Sequence, residues 1–443
     1  MKTIKLLYKA VTVVLALSLT SCGVLTTEGI VTAPPFNSDD TAYEESNSGT
    51  ETGGITEDTD SDITLIPPET MDESSTAVQT EETEPDVDGD TVISFIACGD
   101  NLVHQAVINN GKSYAQGTGR DYNFLPVYED VASIIKNADI AFVNQESQIA
   151  GSEFEYSGYP RFNTPGEMGN DLISLGFDII QTANNHMLDN GTQGLANTID
   201  YWKNKPVLQI GAYASGSDYD NIRVLEVKGV KIACLSYTDI INSGRTADAP
   251  YITPSLEYDT LEKHVKYAKK VADLVFVFVH WGEEDDFDPT SRQVKYAGYM
   301  AEMNVDAVIG THSHVVGPIE WIKREDGGEM LCAYSLGNFL STMYYARNMV
   351  GVMLDFDIVK SSGNFSIENV CVIPTVTYFK YKDGSMDDAL REGLKIYLLE
   401  DFTNALANSH AYNEQESKDY ELSDLYKFVT DNVDKEFLPE YLK

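Results

Sequence analysis

Positive charge is what this sequence has least of. Lys and Arg together number 31 against 70 Asp and Glu, a net charge of −39 at neutral pH. Residues 23–90 hold 19 of those acids and no Lys, Arg or His at all. The rest of the chain, from Thr91 onward, still carries a net −23. A surface of that sign cannot neutralise a phosphate backbone, so nucleic acid is excluded as a partner. It also repels other polyanions, except where bound metal ions invert the local field.

Cysteine is scarce too, at five residues. No C-x-x-C or Cys/His finger spacing occurs, and no disulfide framework is legible. Cys98, Cys234, Cys332 and Cys371 each sit within an apolar run, where a thiol behaves as a small hydrophobe, so all four are expected in the core. The apolar run at the N-terminus, Ala10 to Leu19, is too short to span a bilayer. It follows Lys2, Lys5 and Lys9 and precedes small residues, the pattern of a secretory signal peptide. Its end, Leu19-Thr20-Ser21-Cys22, resembles the bacterial lipobox. Residues 1–22 are therefore expected to be a lipoprotein signal peptide, with Cys22 lipidated and the chain anchored to the outside of the cytoplasmic membrane.

Residues 23–90 are rich in Thr, Ser, Glu, Asp, Pro and Gly and lack a periodic apolar pattern. Such a segment buries too little to offset its ordering entropy, so it is expected to be an acidic disordered tether. From Thr91 the texture changes. Strand-like runs such as "TVISFIAC", "DIAFVN", "DLVFVFVHW" and "GVMLDFDIV" alternate with helix-length stretches at 126–137, 166–175, 191–203, 255–271 and 291–303. Gly229, inside "IRVLEVKGVKIACLSYT", marks a hairpin turn. Alternation of this kind gives an α/β domain, and continuous apolar strands imply sheets covered on both faces. The domain is expected over residues 91–380, with a helical C-terminal extension over 381–443, helical from Met386 to about Val433.

The polar residues at the ends of the apolar runs form a pattern. "ISFIACGD" ends in Asp100, with His104 four residues on; "IAFVNQES" ends in Asn144 and Glu146; "IIQTANNHMLDNG" brings Asn184, Asn185, His186 and Asp189. "VFVFVHWGEE" ends in His280, with Glu283 and Glu284 just beyond, and "VIGTHSH" ends in His312 and His314. Ligands of open α/β sheets bind outside the carboxyl ends of the strands. Carboxylates, amides and imidazoles delivered to one edge are what a divalent-metal site requires. Of seven histidines, five fall at strand ends; only His264 and His410 lie on polar helical stretches, where surface placement is expected. Trp281 is expected to pack, and Arg161 in "YPRFNTP" is the anion-binding candidate.

The segments "GDNLVH", "NQES", "TANNHMLDNG", "VHWGEE", "GTHSHVV" and "YSLGNF", in that order, resemble the bacterial capsule synthesis protein CapA family, or poly-γ-glutamate synthesis domain. That family is similar to the calcineurin-like metallophosphoesterases. The resemblance implies a two-sheet αββα sandwich and two divalent metal ions. It places Asp100 and His314 on the first metal, Asn185, His280 and His312 on the second, and Glu146 between them. Glu146 stands where the phosphoesterases have Asp. Their histidine two residues after the first Asp is Leu102 here, so that either His104 substitutes or the first metal is more open. His186 matches the histidine that protonates a leaving group, with Asp189 orienting it. Asn144, Asn184 and Glu284 are further metal or supporting candidates, and Asn338 a substrate-side residue shaping the wall.

Mixed Asp, Glu, Asn and His ligation suits Mn, Fe or Zn better than Ca. Three functions fit: a membrane-anchored metal-dependent hydrolase or transferase serving poly-γ-glutamate or another capsule component, a non-catalytic polymer-holding or export component beside capsule-synthase membrane subunits, or a secreted phosphoesterase. A body of charge −23 repels poly-γ-glutamate, so contact with it must be local, through metals and Arg161.

Overall fold

The structure is a computed structural model that describes residues 63–65, 90–244, 251–382 and 385–443. In chain order its strands are β1 (Ile63–Leu65), β2 (Thr91–Asn101), β3 (Ile140–Gln145), β4 (Ile179–Gln181), β5 (Leu208–Ile210), β6 (Arg223–Val227), β7 (Val230–Thr238) and β8 (Leu274–His280). The remaining strands are β9 (Ala307–Thr311), β10 (Ile319–Lys323), β11 (Glu329–Ala333), β12 (Asn338–Leu340), β13 (Val350–Ser361), β14 (Asn364–Tyr381) and β15 (Arg391–Leu398). They form two mixed sheets. One runs β1-β6-β7-β8-β9-β11-β10; the other runs β15-β14-β13-β2-β3-β4-β5, with β12 also paired to β2.

Alternation within the central strands assembles the layers. In β8, Phe276 and Phe278 face the other sheet, where Phe278 stacks on Phe142 of β3 at 4.4 Å and Phe276 meets Phe95 of β2 edge-on at 5.6 Å. The alternate residues Val275, Val277 and Val279 pack with Leu261 and Val265 of helix Tyr258–Val271 and with Met300 of helix Ser291–Glu302. Helices Gln105–Tyr114, Gly166–Ser174 and Gly191–Lys203 bury Val107, Leu172 and Trp202 with the second sheet. The result is the expected α/β architecture, two sheets clad by helices. Strands β2, β3, β4 and β5 are parallel, as are β7, β8 and β9, so their carboxyl ends open on one edge.

The hairpin at Gly229 is present between β6 and β7, with Lys228 and Gly229 both at positive φ (49° and 73°), as a tight two-residue turn requires. Other expectations need correction. Part of the acidic segment is not free: β1 pairs antiparallel with β6. The C-terminal extension is not purely helical, because β15 extends the second sheet through β14 before the helices Asn404–Ser409, Tyr412–Glu416 and Leu422–Thr430 begin. The boundary expected near residue 380 falls at the end of β14 within one continuous sheet.

Two histidines expected at the surface are buried. His264 lies on the inward face of its helix with Nδ1 2.9 Å from the Tyr237 hydroxyl. His410 is held between the Thr377 carbonyl, 2.8 Å from Nε2, and the Tyr412 ring, stacked at 3.8 Å. Cys98, Cys234 and Cys332 are core residues as expected, whereas Cys371, in the part of β14 that faces away from the main core, is half-buried. No helix among the described residues is long and apolar enough to cross a membrane. Cys22 and the signal segment lie outside the described residues.

Candidate metal centre

Asp100 ends β2, and its position depends on a close backbone approach. A Cβ on Gly99 would lie 1.9 Å from the Gly337 carbonyl oxygen, the same atom that accepts the Asp100 N–H at 3.0 Å. Only glycine lets the two segments meet there. The Asp100 side chain is fully buried; Oδ1 accepts from Asn144 Nδ2 at 2.7 Å and Oδ2 accepts from the His312 N–H at 3.1 Å. His312 and His314 both carry positive φ, 105° and 59°. For non-glycine residues this is stored strain, of a kind that persists at functional sites. The Ser313 carbonyl accepts from Asp285 N at 2.8 Å and its hydroxyl donates to the Val315 carbonyl, so the spacer between the histidines fixes the turn.

The ring atoms converge on two spots. His280 Nε2 lies 3.0 Å from His312 Nδ1, 3.1 Å from Asn185 Oδ1 and 3.7 Å from Glu146 Oε1. His314 Nε2 lies 3.7 Å from Glu146 Oε1, and His314 Nδ1 lies 3.3 Å from Asp100 Oδ2. Among the described residues three groups could hold an ion, each with ligand atoms within 4.8 Å: Glu146, His280 and His312; Asp100, Glu146 and His314; and Glu284, His312 and His314. Ligands about 2.0–2.2 Å from one cation are roughly 2.8–3.6 Å apart, close to the spacings around His280 Nε2. Glu146 belongs to two of the groups. Both of its carboxylate oxygens are buried and without a hydrogen-bond partner, an arrangement that a cation would satisfy and that nothing in the protein does.

Electrostatics agrees. Burial, and then the Asp100 carboxylate, push the Glu146 acid well above its usual range. Burial and neighbouring imidazoles drive His280 far down and His312 to about 3, so both rings are neutral and able to coordinate. Burial opposes charge on His314 as well, yet the carboxylates of Glu146 and Asp100 outweigh it and raise that ring to about 10.

The surrounding amides and hydroxyl set the ring orientations. His280 Nδ1 lies 2.9 Å from Thr311 Oγ1, a hydroxyl able to accept its proton; in that tautomer Nε2 keeps its lone pair for the site. Asn184 ties the ends of β3 and β4, donating to the Gln145 carbonyl at 3.1 Å while its Oδ1 accepts the His186 N–H at 3.2 Å. His186 Nδ1 is 2.8 Å from Asp189 Oδ2, and that same oxygen accepts the Phe162 N–H at 2.8 Å. The His186 ring rests on Phe162, with centroids 4.6 Å apart.

A family model decides what kind of protein carries this centre. The model described as bacterial capsule synthesis protein PGA_cap matches residues 94–343, more than half of the chain. The chain belongs to that family. It is similar to the PGA biosynthesis protein CapA of Bacillus subtilis (strain 168), 33% identical over 44% of this chain and 51% of the relative. It is also similar to the capsule biosynthesis protein CapA of Bacillus anthracis, 30% identical over 54% of this chain and 58% of the relative. The chain thus spans about half the length of the curated relatives it matches. Among solved structures it overlays partially on a putative 5'-nucleotidase from Staphylococcus aureus, TM-score 0.42 at 16% identity, over 68% of this chain and 57% of that one. It also overlays on the calcineurin-like phosphoesterase YfkN from Bacillus subtilis, TM-score 0.38 at 13% identity, over 65% and 91% of the two chains.

Within this capsule synthesis family member the other expected site residues divide. Glu284 is exposed and reaches the His312 and His314 side, at the mouth of the site. Arg161 is exposed on the rim, its Nε donating to the Asp189 carbonyl at 3.1 Å. Trp281 packs, as expected, fully buried with Nε1 donating to the Tyr334 carbonyl. His104 joins none of the three groups. Its Nδ1 accepts from Thr342 N at 3.3 Å, its ring meets the far side of the Phe162 environment at 5.4 Å, and burial with nearby Arg391 holds it at about 3.

Asn338 is not free for substrate either. It is buried, its Oδ1 lies 3.0 Å from His314 Nδ1, and its Nδ2 donates to the Asn348 carbonyl at 3.0 Å. Sequence reading missed Thr311 and Asn348 as supports. Thr311 had a signal, being the strand residue just before His312; Asn348 had none, because it reaches the site across a loop.

Proposed function

We propose that this chain is a divalent-metal-dependent hydrolase or transferase of capsule or poly-γ-glutamate biosynthesis. Asp100, Glu146 and His314 would hold one cation, and Glu146, Asn185, His280 and His312 a second, with Glu284 available at the mouth. The mixed N/O donor set favours Mn, Fe or Zn. One observation carries the reading: the buried carboxylate of Glu146, shared by two ligand groups, has no hydrogen-bond partner on either oxygen.

A cation pair bound there supplies Lewis-acid charge for an anionic or carbonyl oxygen and acidifies water at neutral pH. The chain's own residues supply the rest. Asp189, pinned by the Phe162 N–H, holds His186 Nδ1 and so leaves Nε2 to carry the proton that a departing oxygen or nitrogen needs. Arg161, tied to the Asp189 carbonyl, offers charge at the rim for an anionic substrate. The burial of His280, His312 and Glu146 keeps bulk water away from the ligand atoms.

The oriented His186–Asp189 pair favours catalysis over passive polymer holding, which has no use for a positioned acid. The address in the sequence supports action outside the cytoplasmic membrane, anchored through Cys22, beside capsule-synthase membrane subunits. The test is turnover by the Mn-loaded chain on poly-γ-glutamate, on other capsule polymers and on aryl phosphates, for wild type and His186→Ala. Metal-dependent turnover of a polymer that falls in the variant supports the reading. Turnover confined to phosphate esters points to a secreted phosphoesterase, and no difference on any substrate points to a holding component.

A further inference from the structure

The family match ends at residue 343, and the chain beyond it accounts for every helix of the C-terminal extension. That extension reaches back to the His314 side of the centre. Residues 346–349 form a single 3₁₀ turn whose first N–H, on Ala346, has no partner inside the turn. Glu416 supplies one: its Oε1 accepts that N–H at 2.6 Å, while its Oε2 accepts from the Tyr420 hydroxyl at 2.9 Å. The neighbouring Gln415 carbonyl accepts from the Tyr344 hydroxyl, and Arg391 Nη1 donates to the Thr342 carbonyl.

The turn so held carries Asn348. Its carbonyl accepts from Asn338 Nδ2 at 3.0 Å, and its side chain donates to Asp285 Oδ1 at 2.7 Å. Asn338 in turn faces His314 Nδ1 at 3.0 Å. The loop that bears Glu284 is gripped from the same direction, with Phe287 stacked on Phe428 at 6.2 Å and Asp285 paired to Arg347 at 3.1 Å. The wall beside His314 is therefore supported in part by residues beyond the matched segment, Asn348, Arg347 and Phe428 among them.

We propose that Glu416 is a positioning residue for the metal centre: by capping the 346–349 turn it fixes Asn348 and Asn338, and through them the ring of His314. The inference rests on the metal-centre reading for its consequence, and on hydrogen bonds alone for its geometry. Glu416→Gln keeps an oxygen acceptor and should behave as wild type, whereas Glu416→Ala uncaps the turn.

The experiment uses the full chain, labelled with ¹⁵N-histidine and stripped of metal, before titration with Mn²⁺ alone. In Glu416→Ala the His314 ring signals should shift or broaden while those of His264 stay in place, and one Mn²⁺ affinity should fall about 10- to 100-fold with the other unchanged, the range seen when a ligand's support is removed. Unchanged His314 signals in Glu416→Ala would overturn the proposal, as would shifted signals with both affinities intact. If wild type binds no Mn²⁺ while the His314 signals still move, the positioning stands and the metal reading falls. Should Glu416→Ala fail to fold, Tyr420→Phe removes only the hydroxyl that orients Glu416 and is expected to give the same change in smaller measure.

Discussion

His280 Nε2 and His312 Nδ1 lie 3.0 Å apart where the adjacent parallel strands β8 and β9 end. Two imidazoles rarely approach so closely unless a proton or a cation sits between them, and burial keeps both rings uncharged. Wild type should therefore gain thermal stability on adding Mn²⁺, by about 2.7 kcal/mol for each filled site at 100 times its Kd. His312→Ala should lose the gain of the site it shares with His280. Differential scanning calorimetry in chelator and in Mn²⁺ reads it, and an equal gain in the variant would refute the pairing.

His186 is oriented but belongs to none of the ligand groups. Its replacement should therefore leave metal content intact while lowering kcat by about 10²- to 10⁴-fold, the usual size of a general-acid contribution. Asp189→Asn should give a smaller loss, since it disturbs only the orientation of the ring. Metal analysis alongside single-turnover kinetics separates the two roles. Loss of metal in His186→Ala would reassign the residue to the ligand set.

Gly99 has no room for a methyl group. Gly99→Ala should destabilise the chain by about 2–3 kcal/mol, at the upper end of overpacking costs, because the atom it meets is backbone. It should also weaken metal binding by displacing Asp100. Urea denaturation with and without Mn²⁺ tests both, and a neutral variant would show that the Gly99–Gly337 approach is not needed.

Two buried histidines outside the centre set an acid limit on stability. Burial is the main cause at both: it holds His264, beside Tyr237, Asp220 and Lys263, at about 4, and His410, beside Thr377 and Arg391, at about 3. Both lie below the unfolded value near 6.5, so the unfolded chain takes up protons first as pH falls. Stability is full above that value and is lost as pH drops toward the folded pKa, by about 3 kcal/mol for His264 alone. Asp178, raised to about 7 by burial, acts in the opposite direction, so the variant is compared with wild type: between pH 7.5 and pH 4.5 the urea midpoint of the chelated chain should fall further in wild type than in His264→Asn. Equal pH dependence in the two would contradict this.

The strand ends were the legible part of this sequence. Continuous apolar runs name β2, β3, β8 and β9, and the polar residues after them are the ones that meet, because parallel strands deliver their carboxyl ends to one edge. What was not legible depends on contacts distant in sequence. His264 and His410 look like surface residues on polar helices until Tyr237 and Thr377 are brought against them. The strand β15 hides in "REGLKIYL", whose three charged residues mask it, although Arg391 is buried and donates to the Thr342 carbonyl. Asn338 reads as a substrate residue in "SLGNF", yet Asn348 and His314 occupy its whole amide.

The proposed pair of cations would depend on Glu146, and the most direct measurement is the metal content of the purified full chain after loading with Mn²⁺, Fe²⁺ or Zn²⁺ and removal of excess, for wild type and Glu146→Gln. Two tightly held cations per chain in wild type and fewer than one in the variant are predicted. No retained cation in wild type with any of the three metals, or equal content in Glu146→Gln, would contradict it.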